Sequence, residues 1–237
     1  GTTFTPDPLP YPLWLDYGRD NYAGVTWSNI PESDGRRLFL GWMNNWDYGN
    51  VVPTQNFRSA MTLPRELRLA HNGSHLVVAS FPVKEVGDEK DGTPIIMDKL
   101  TEETFPIGAD YYNNGYVLSF TIKPNGLSMF DFALQNSKGE KIIFAFDTNE
   151  KTFIVDRSQS GLSDFSSNFA KPLIKAPLTK KDSYTIHMWV DKASTEVFIN
   201  GGEVVQTNIA FPTEPYNQLK FDLRGNTVIS VDNITLY

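Results

Sequence analysis

Apolar side chains recur at every second residue in stretch after stretch of this chain, and nowhere does the spacing of an amphipathic helix persist for three turns. In the run from Tyr116 to Ile122, the residues Tyr116, Leu118, Phe120 and Ile122 fall on one face, and Ser119 and Thr121 on the other. The run Tyr184 to Val190 alternates in the same way. Turn-forming clusters separate such runs: Asn113-Asn114-Gly115, Pro124-Asn125-Gly126, Asn136-Ser137-Lys138-Gly139, Asp147-Thr148-Asn149 and Asn200-Gly201-Gly202. Asn-Gly supplies the positive φ angles of tight hairpins. Strands punctuated by turns every 8 to 12 residues or so predict an all-β protein, either sandwich or propeller.

Aromatic content suits that reading, because 16 Phe, 10 Tyr and 5 Trp in 237 residues pack well on pleated faces. Charge narrows the partners. With 21 Lys and Arg against 28 Asp and Glu, the net charge is 21 − 28 = −7, and no basic run exists to neutralise a phosphate backbone or an anionic membrane. Neither nucleic acid nor membrane is therefore expected as a partner. The absence of cysteine removes disulfides, thiolate metal sites and cysteine nucleophiles. Apolar runs such as Ile142 to Phe146 fall far short of the roughly 20 residues of a membrane helix, and Gly1 to Tyr11 lacks an apolar signal core.

The distribution of residues suggests two regions. Residues 1 to 70 hold four of the five Trp, at positions 14, 27, 42 and 46. Ala70 to Ser74 and Gly87 to Gly92 are polar and turn-rich, and residues 71 to 92 are expected to form linker and surface loops. Residues 93 to 237 are of the length of one β-sandwich. The first region suffices for about one blade of a β-propeller, too little sheet to be stable alone. Its exposed edges are expected to pair across a dimer or to pack on the remainder of the chain.

Several ordered motifs carry a family resemblance. They are Asp16-Tyr17-Gly18-Arg19-Asp20-Asn21-Tyr22-Ala23, then Arg37-Leu38-Phe39-Leu40-Gly41-Trp42-Met43-Asn44-Asn45-Trp46, then Val52-Pro53-Thr54 and Phe57-Arg58-Ser59-Ala60-Met61-Thr62-Leu63-Pro64-Arg65-Glu66-Leu67. Further on come Val155-Asp156-Arg157-Ser158-Gln159-Ser160-Gly161 and the stretch from Val190 to Gly201. Together they resemble the C-terminal half of glycoside hydrolase family 32, the invertase, levanase and inulinase family. The resemblance implies the last part of a five-bladed propeller followed by a β-sandwich module, from a secreted or periplasmic enzyme acting on fructan or sucrose. It also implies a retaining mechanism, with two carboxyl groups about 5 to 5.5 Å apart. The family carries its nucleophile in a Trp-Met-Asn-Asp-Pro type motif, its acid/base in Glu-Cys and a third carboxylate in Arg-Asp-Pro. Here Trp42-Met43-Asn44 is followed by the amide Asn45, Arg19-Asp20 is followed by Asn21, and Glu-Cys is impossible. No catalytic residue is therefore assigned, the chain is expected to be inactive alone, and neither metal nor cofactor is expected.

The resemblance places Trp42, Asn45, Trp46, Asp47 and Asp20 at the remnant of the sugar funnel. Indole faces pack on the C–H groups of a sugar ring, and amides and carboxylates bond its hydroxyls. Asp16 and Tyr22 are weaker candidates of the same kind. Arg65 and Glu66 are expected to form an ion pair that fixes the last blade. His71 and His75 flank Gly73, which favours a turn over a metal pair, and Asp88 to Gly92 reads as a solvated turn. The alternatives to the hydrolase reading are a carbohydrate-binding or a purely structural sandwich, the former with Tyr184, Trp189 and Phe198 as an aromatic platform if they face outward.

Overall fold

The computed structural model describes residues 2–3, 5, 7–87, 95–100, 103–170, 173–221 and 229–237. The acidic turn at 88–92 lies outside them. The N-terminal sheet is built from β1 (Tyr22–Thr26), β2 (Arg37–Met43), β3 (Ala60–Met61), β4 (Arg65–His71) and β5 (Leu76–Pro82). β3 and β4 follow one another along the same side of β2, opposite β1, so the sheet is four strands wide and wholly antiparallel. That is the width of one propeller blade. Part of the segment expected to link the two regions is therefore strand. β4 runs through His71, residues 72–75 turn, and β5 pairs with β4 from Leu76↔His71 to Pro82↔Arg65. Val77 and Ala79 supply buried alternate positions of this largely apolar run, which lies between the polar stretches at 70–74 and 87–92.

The rest of the chain forms two six-stranded sheets. In chain order the strands are β6 (Ile95–Lys99), β7 (Thr104–Pro106), β8 (Tyr116–Lys123), β9 (Met129–Gln135), β10 (Lys141–Asp147), β11 (Thr152–Gln159), β12 (Ile174–Pro177), β13 (Tyr184–Asp191), β14 (Ser194–Ile199), β15 (Val204–Ile209), β16 (Gln218–Phe221) and β17 (Ser230–Leu236). A single-turn helix, α1 (Ala109–Tyr112), precedes β8. One sheet has the order β15-β14-β13-β8-β17-β6 and the other β12-β11-β10-β9-β16-β7. They face each other as a sandwich. Tyr116, Leu118, Phe120 and Ile122 all enter its core, as the alternation predicts. Stacked and edge-on Phe rings dominate that core, with Phe120 edge-on to Phe132 at 5.1 Å and Phe130 stacked on Phe146 at 4.7 Å.

The blade packs on the outer face of the first sandwich sheet, making a third layer. Leu63, Phe81 and Val86 cover Val117, Trp189, Phe198 and Val205. Trp189 is 9% exposed, and Phe198 and Tyr184 are fully buried. The aromatic platform on the sandwich therefore does not exist, because two of its members form the seat of the blade and the third lies in the core. Backbone also meets backbone here. Tyr17 N–H donates to the Val205 carbonyl at 2.9 Å, Asp20 N–H to Thr207 at 3.2 Å, and Ser80 N–H to Gly202 at 3.1 Å. A Cβ at Gly18 or Gly202 would overlap the backbone of Thr207 or Ser80. These two glycines are what let the layers approach so closely.

Candidate functional site

Two buried arginines tie blade to sandwich, and one of them reaches the sugar-funnel candidates. Arg65, on β4, is fully buried. It donates to Asp16 Oδ2 at 2.8 Å, to Glu196 Oε2 at 2.5 Å and to Thr207 Oγ1 at 2.6 Å. The ion pair expected with Glu66 is thus replaced by one with Asp16 and Glu196. Neighbours on a strand point to opposite faces, so Glu66 cannot follow Arg65 into the interface. Asp16 is saturated, accepting also from Gly18 N, Thr207 N, Thr207 Oγ1 and Asn21 Nδ2. It is a structural acceptor. Burial raises its pKa, but the Arg65 charge and the donated bonds outweigh burial and hold the carboxyl below the ordinary value. For Glu196 burial prevails over Arg65, and its carboxyl is pushed up.

The second arginine, Arg157 on β11, is 1% exposed. Its Nη1 donates to Asp20 Oδ2 at 2.6 Å and to the Ile209 carbonyl at 3.0 Å, its Nη2 to Tyr48 Oη at 2.7 Å, and its Nε to the Phe169 carbonyl at 3.0 Å. Asp20 also accepts from Tyr48 O–H at 2.5 Å and from Ile209 N–H at 2.9 Å. Asp20 was expected at the funnel; the structure gives it no exposed surface and a full set of buried donors, so it anchors rather than meets a sugar. Burial is also the main reason the Tyr48 hydroxyl stays protonated, helped by the Asp20 charge.

Of the remaining candidates, Trp42 lies near the end of β2, and Asn45, Trp46 and Asp47 lie on the turn that follows it. Tyr48 N–H and Gly49 N–H both return to the Asn45 carbonyl, at 3.3 and 2.7 Å. Asn45 Nδ2 donates to the Arg19 carbonyl at 2.8 Å and its Oδ1 accepts from Asp47 N–H at 2.9 Å. Asp47 pairs with Arg19 at 2.7 Å. Asn45 and Asp47 therefore brace the turn, although half of the Asp47 side chain remains open to solvent. Trp42 and Trp46 are brought together, their rings 5.3 Å apart, with Tyr22 edge-on to each at 6.4 Å. Trp46 is 69% and Tyr22 54% exposed. The cluster therefore presents aromatic surface to solvent, the kind of surface on which a sugar ring can pack. Tyr48 and Arg157 were not foreseen as parts of this site. Arg157 stands in a visible motif, but nothing local to either residue signals that they meet.

Comparison with known proteins places these features in a lineage. The family described as glycosyl hydrolases family 32 C terminal matches residues 96–237, and that of the family 32 N-terminal domain matches residues 1–80. The chain belongs to glycoside hydrolase family 32. Among the family's members, the levanase of Bacillus subtilis is 35% identical over 230 residues, covering 95% of this chain and 34% of its own length. The extracellular exo-inulinase of Aspergillus awamori is 30% identical over 253 residues, covering 98% of this chain and 45% of its own. The crystal structure of an exo-inulinase from Aspergillus awamori superposes on the whole chain with a TM-score of 0.79 at 26% identity, over 48% of that protein. A β-fructofuranosidase from Schwanniomyces occidentalis shares the fold, with a TM-score of 0.71 at 21% identity. The chain spans between about a third and a half of the length of these family 32 relatives.

The depressed carboxylates make one property of this family 32 chain predictable. Asp16 lies below its ordinary value, as do Glu140, where bonds from Thr213 and Asn136 overcome burial, and Glu214, through Ser137 and Lys138. Such groups take up protons less readily folded than unfolded, so stability is lost as pH falls through their range; Glu196, shifted up, opposes this with a single group. The urea midpoint is expected to fall between about pH 5 and about pH 3. A midpoint that holds steady or rises over that interval contradicts the assignment.

Proposed function

We propose that this chain belongs to a hydrolase of β-fructofuranosyl bonds in levan, inulin or sucrose. In that reading residues 1–82 supply the blade and its Trp-bearing turn, and the sandwich braces them. The observation that carries it is the open cluster of Tyr22, Trp42 and Trp46 at the end of β2, in a chain related over nearly its whole length to a levanase and an exo-inulinase. Trp42 and Trp46 form one wall of the sugar site, with the exposed part of Asp47 at its rim. The outer edge of β1, whose residues are all exposed, receives a strand of further propeller sheet in preference to a second copy of the chain.

The wall alone is a weak binder. One stacking contact with one or two net hydrogen bonds contributes about 2 to 3 kcal/mol, whereas millimolar affinity needs about 4 kcal/mol. Fructose and sucrose are therefore expected to bind this chain more weakly than about 1 mM. At high sugar concentration, a fructo-oligosaccharide should still shift the indole resonances of Trp42 and Trp46, and maltose should not. Absence of that selective response contradicts the reading. Sub-millimolar binding abolished by Trp42→Ala would show that the wall is a complete site. The pure chain should release no fructose from levan, inulin or sucrose, because the motif carboxylates that would do so are absent from its sequence. Release proportional to chain concentration would overturn that expectation.

A further inference from the structure

Asn45 to Gly49 carries Trp46 on a turn whose Tyr48 ring is seated in an apolar cluster with Phe169, Ile209 and Phe211. The turn is fixed as well by a relay of polar groups that ends in the sandwich. Asn45 and Asp47 hold the turn to Arg19, and Tyr48 holds it to Asp20. Asp20 in turn is held by Ile209 N–H and by Arg157, and Arg157 also reaches Tyr48 directly. The guanidinium carbon sits over Phe169, 3.9 Å from the ring centre, with Phe169 edge-on to Tyr48 at 5.2 Å. A planar, five-donor group is needed to meet Asp20, Tyr48 and two carbonyls at once; the point charge of a lysine cannot.

We propose that Arg157, acting through Tyr48 and Asp20, is a positioning residue for the saccharide wall: the sandwich sets the orientation of Trp46 against Trp42 and Tyr22. Arg157 does not touch the sugar itself. The inference rests on reading the Trp cluster as a sugar wall only for its functional consequence, since the geometry of the turn can be observed without sugar.

The test compares Tyr48→Phe and Arg157→Lys with Tyr184→Phe in the whole chain, using the five indole N–H resonances as reporters. Tyr184→Phe removes a comparable hydroxyl, bonded to Lys181 N–H and the Thr179 carbonyl. It lies at the opposite end of β13 from the turn joining β13 to β14. Tyr48→Phe and Arg157→Lys should displace the Trp42 and Trp46 resonances and leave that of Trp14 in place. Tyr184→Phe should displace neither Trp42 nor Trp46. The response to fructo-oligosaccharide should fall about fivefold in the first two variants, the equivalent of one net hydrogen bond. If Trp42 and Trp46 stay unmoved in folded Tyr48→Phe, the proposal fails, whatever the loss in stability. Should Arg157→Lys not fold, Tyr48→Phe decides alone. A wild-type chain whose indoles ignore the sugar refutes the wall and not the relay, because the displacements in the variants are read without ligand.

Discussion

Replacing Arg65 by Met is expected to cost about 3 to 5 kcal/mol of unfolding free energy, read from urea denaturation at neutral pH. Removal of the guanidinium leaves the Asp16 and Glu196 carboxylates together at 4% and 5% exposure with no cation between them. Both buried charges then lose their compensating cation and keep only the hydrogen bonds from Gly18, Asn21, Thr207 and Leu63, and Thr207 Oγ1 loses a donor as well. Methionine follows the aliphatic stem and keeps contact with Phe198, over which the guanidinium sits at 4.9 Å. The loss therefore reports on charge and not on a cavity. Adding Asp16→Asn and Glu196→Gln to Arg65→Met should restore part of the loss, since a neutral cluster is less costly to bury than an unpaired one. A change below about 1 kcal/mol for the single variant would mean that the three charges are not buried together in solution.

A loss of that size is a large share of what holds a domain folded, which is commonly 5 to 15 kcal/mol or so. Its first consequence should be local. The blade is joined to the sandwich by the apolar seat of Leu63 and Phe81 on Trp189, Phe198 and Val205 and by the two arginine clusters. Weakening one cluster frees the blade before the Phe-rich core opens. Trp189, buried in the wild type, then becomes accessible, and the exposed seat favours association.

Period-two patterning gave access to the strands of the sandwich, because a residue's side of the sheet depends only on its parity along the strand. The strands over Tyr116 to Ile122 and Tyr184 to Val190 follow from it directly. Parity does not say what covers the outer face. Trp189 and Phe198 alternate correctly, yet they face the blade, a partner over a hundred residues earlier in sequence. The same blindness affects charges. Arg65 meets Glu196 across 131 positions, and Arg157 meets Asp20 across 137. Nothing in the adjacency of Arg65 and Glu66 reveals that one is buried and the other is not. In the candidate site, the closeness of Trp42 and Trp46, which stand near one another in sequence, has a local signal. The site was misread at Asp20, where a carboxylate with the composition of a ligand group turned out to be the hidden partner of an arginine.

Gly18→Ala should cost about 3 kcal/mol, more than an added methyl usually does, and should undock the blade as Arg65→Met does. Its N–H is held by Asp16 Oδ1 at 2.8 Å, and its flanking residues Tyr17 and Asp20 bond the backbone of β15. An added Cβ would overlap the carbonyl oxygen, carbon and nitrogen of Thr207, all main-chain atoms within a paired strand. No rotamer change relieves that overlap, so either β15 shifts against β14 or residues 17–20 withdraw. The second is the easier path, and it breaks the bond from Tyr17 N–H to Val205, pulls Asp20 off Arg157 and Asp16 off Thr207. Gly126→Ala is the control. It places a methyl on a turn glycine at φ +90°, a left-handed backbone that Gly18 does not have, but meets nothing within 4 Å. Only the backbone penalty remains there, about 1 to 2 kcal/mol. Gly18→Ala is therefore expected to lower the urea midpoint further than Gly126→Ala and, unlike it, to expose Trp189 and disturb the Trp42 and Trp46 resonances. Equal losses with an undisturbed Trp189 would show that the blade does not seat on β15 as closely as its backbone bonds require.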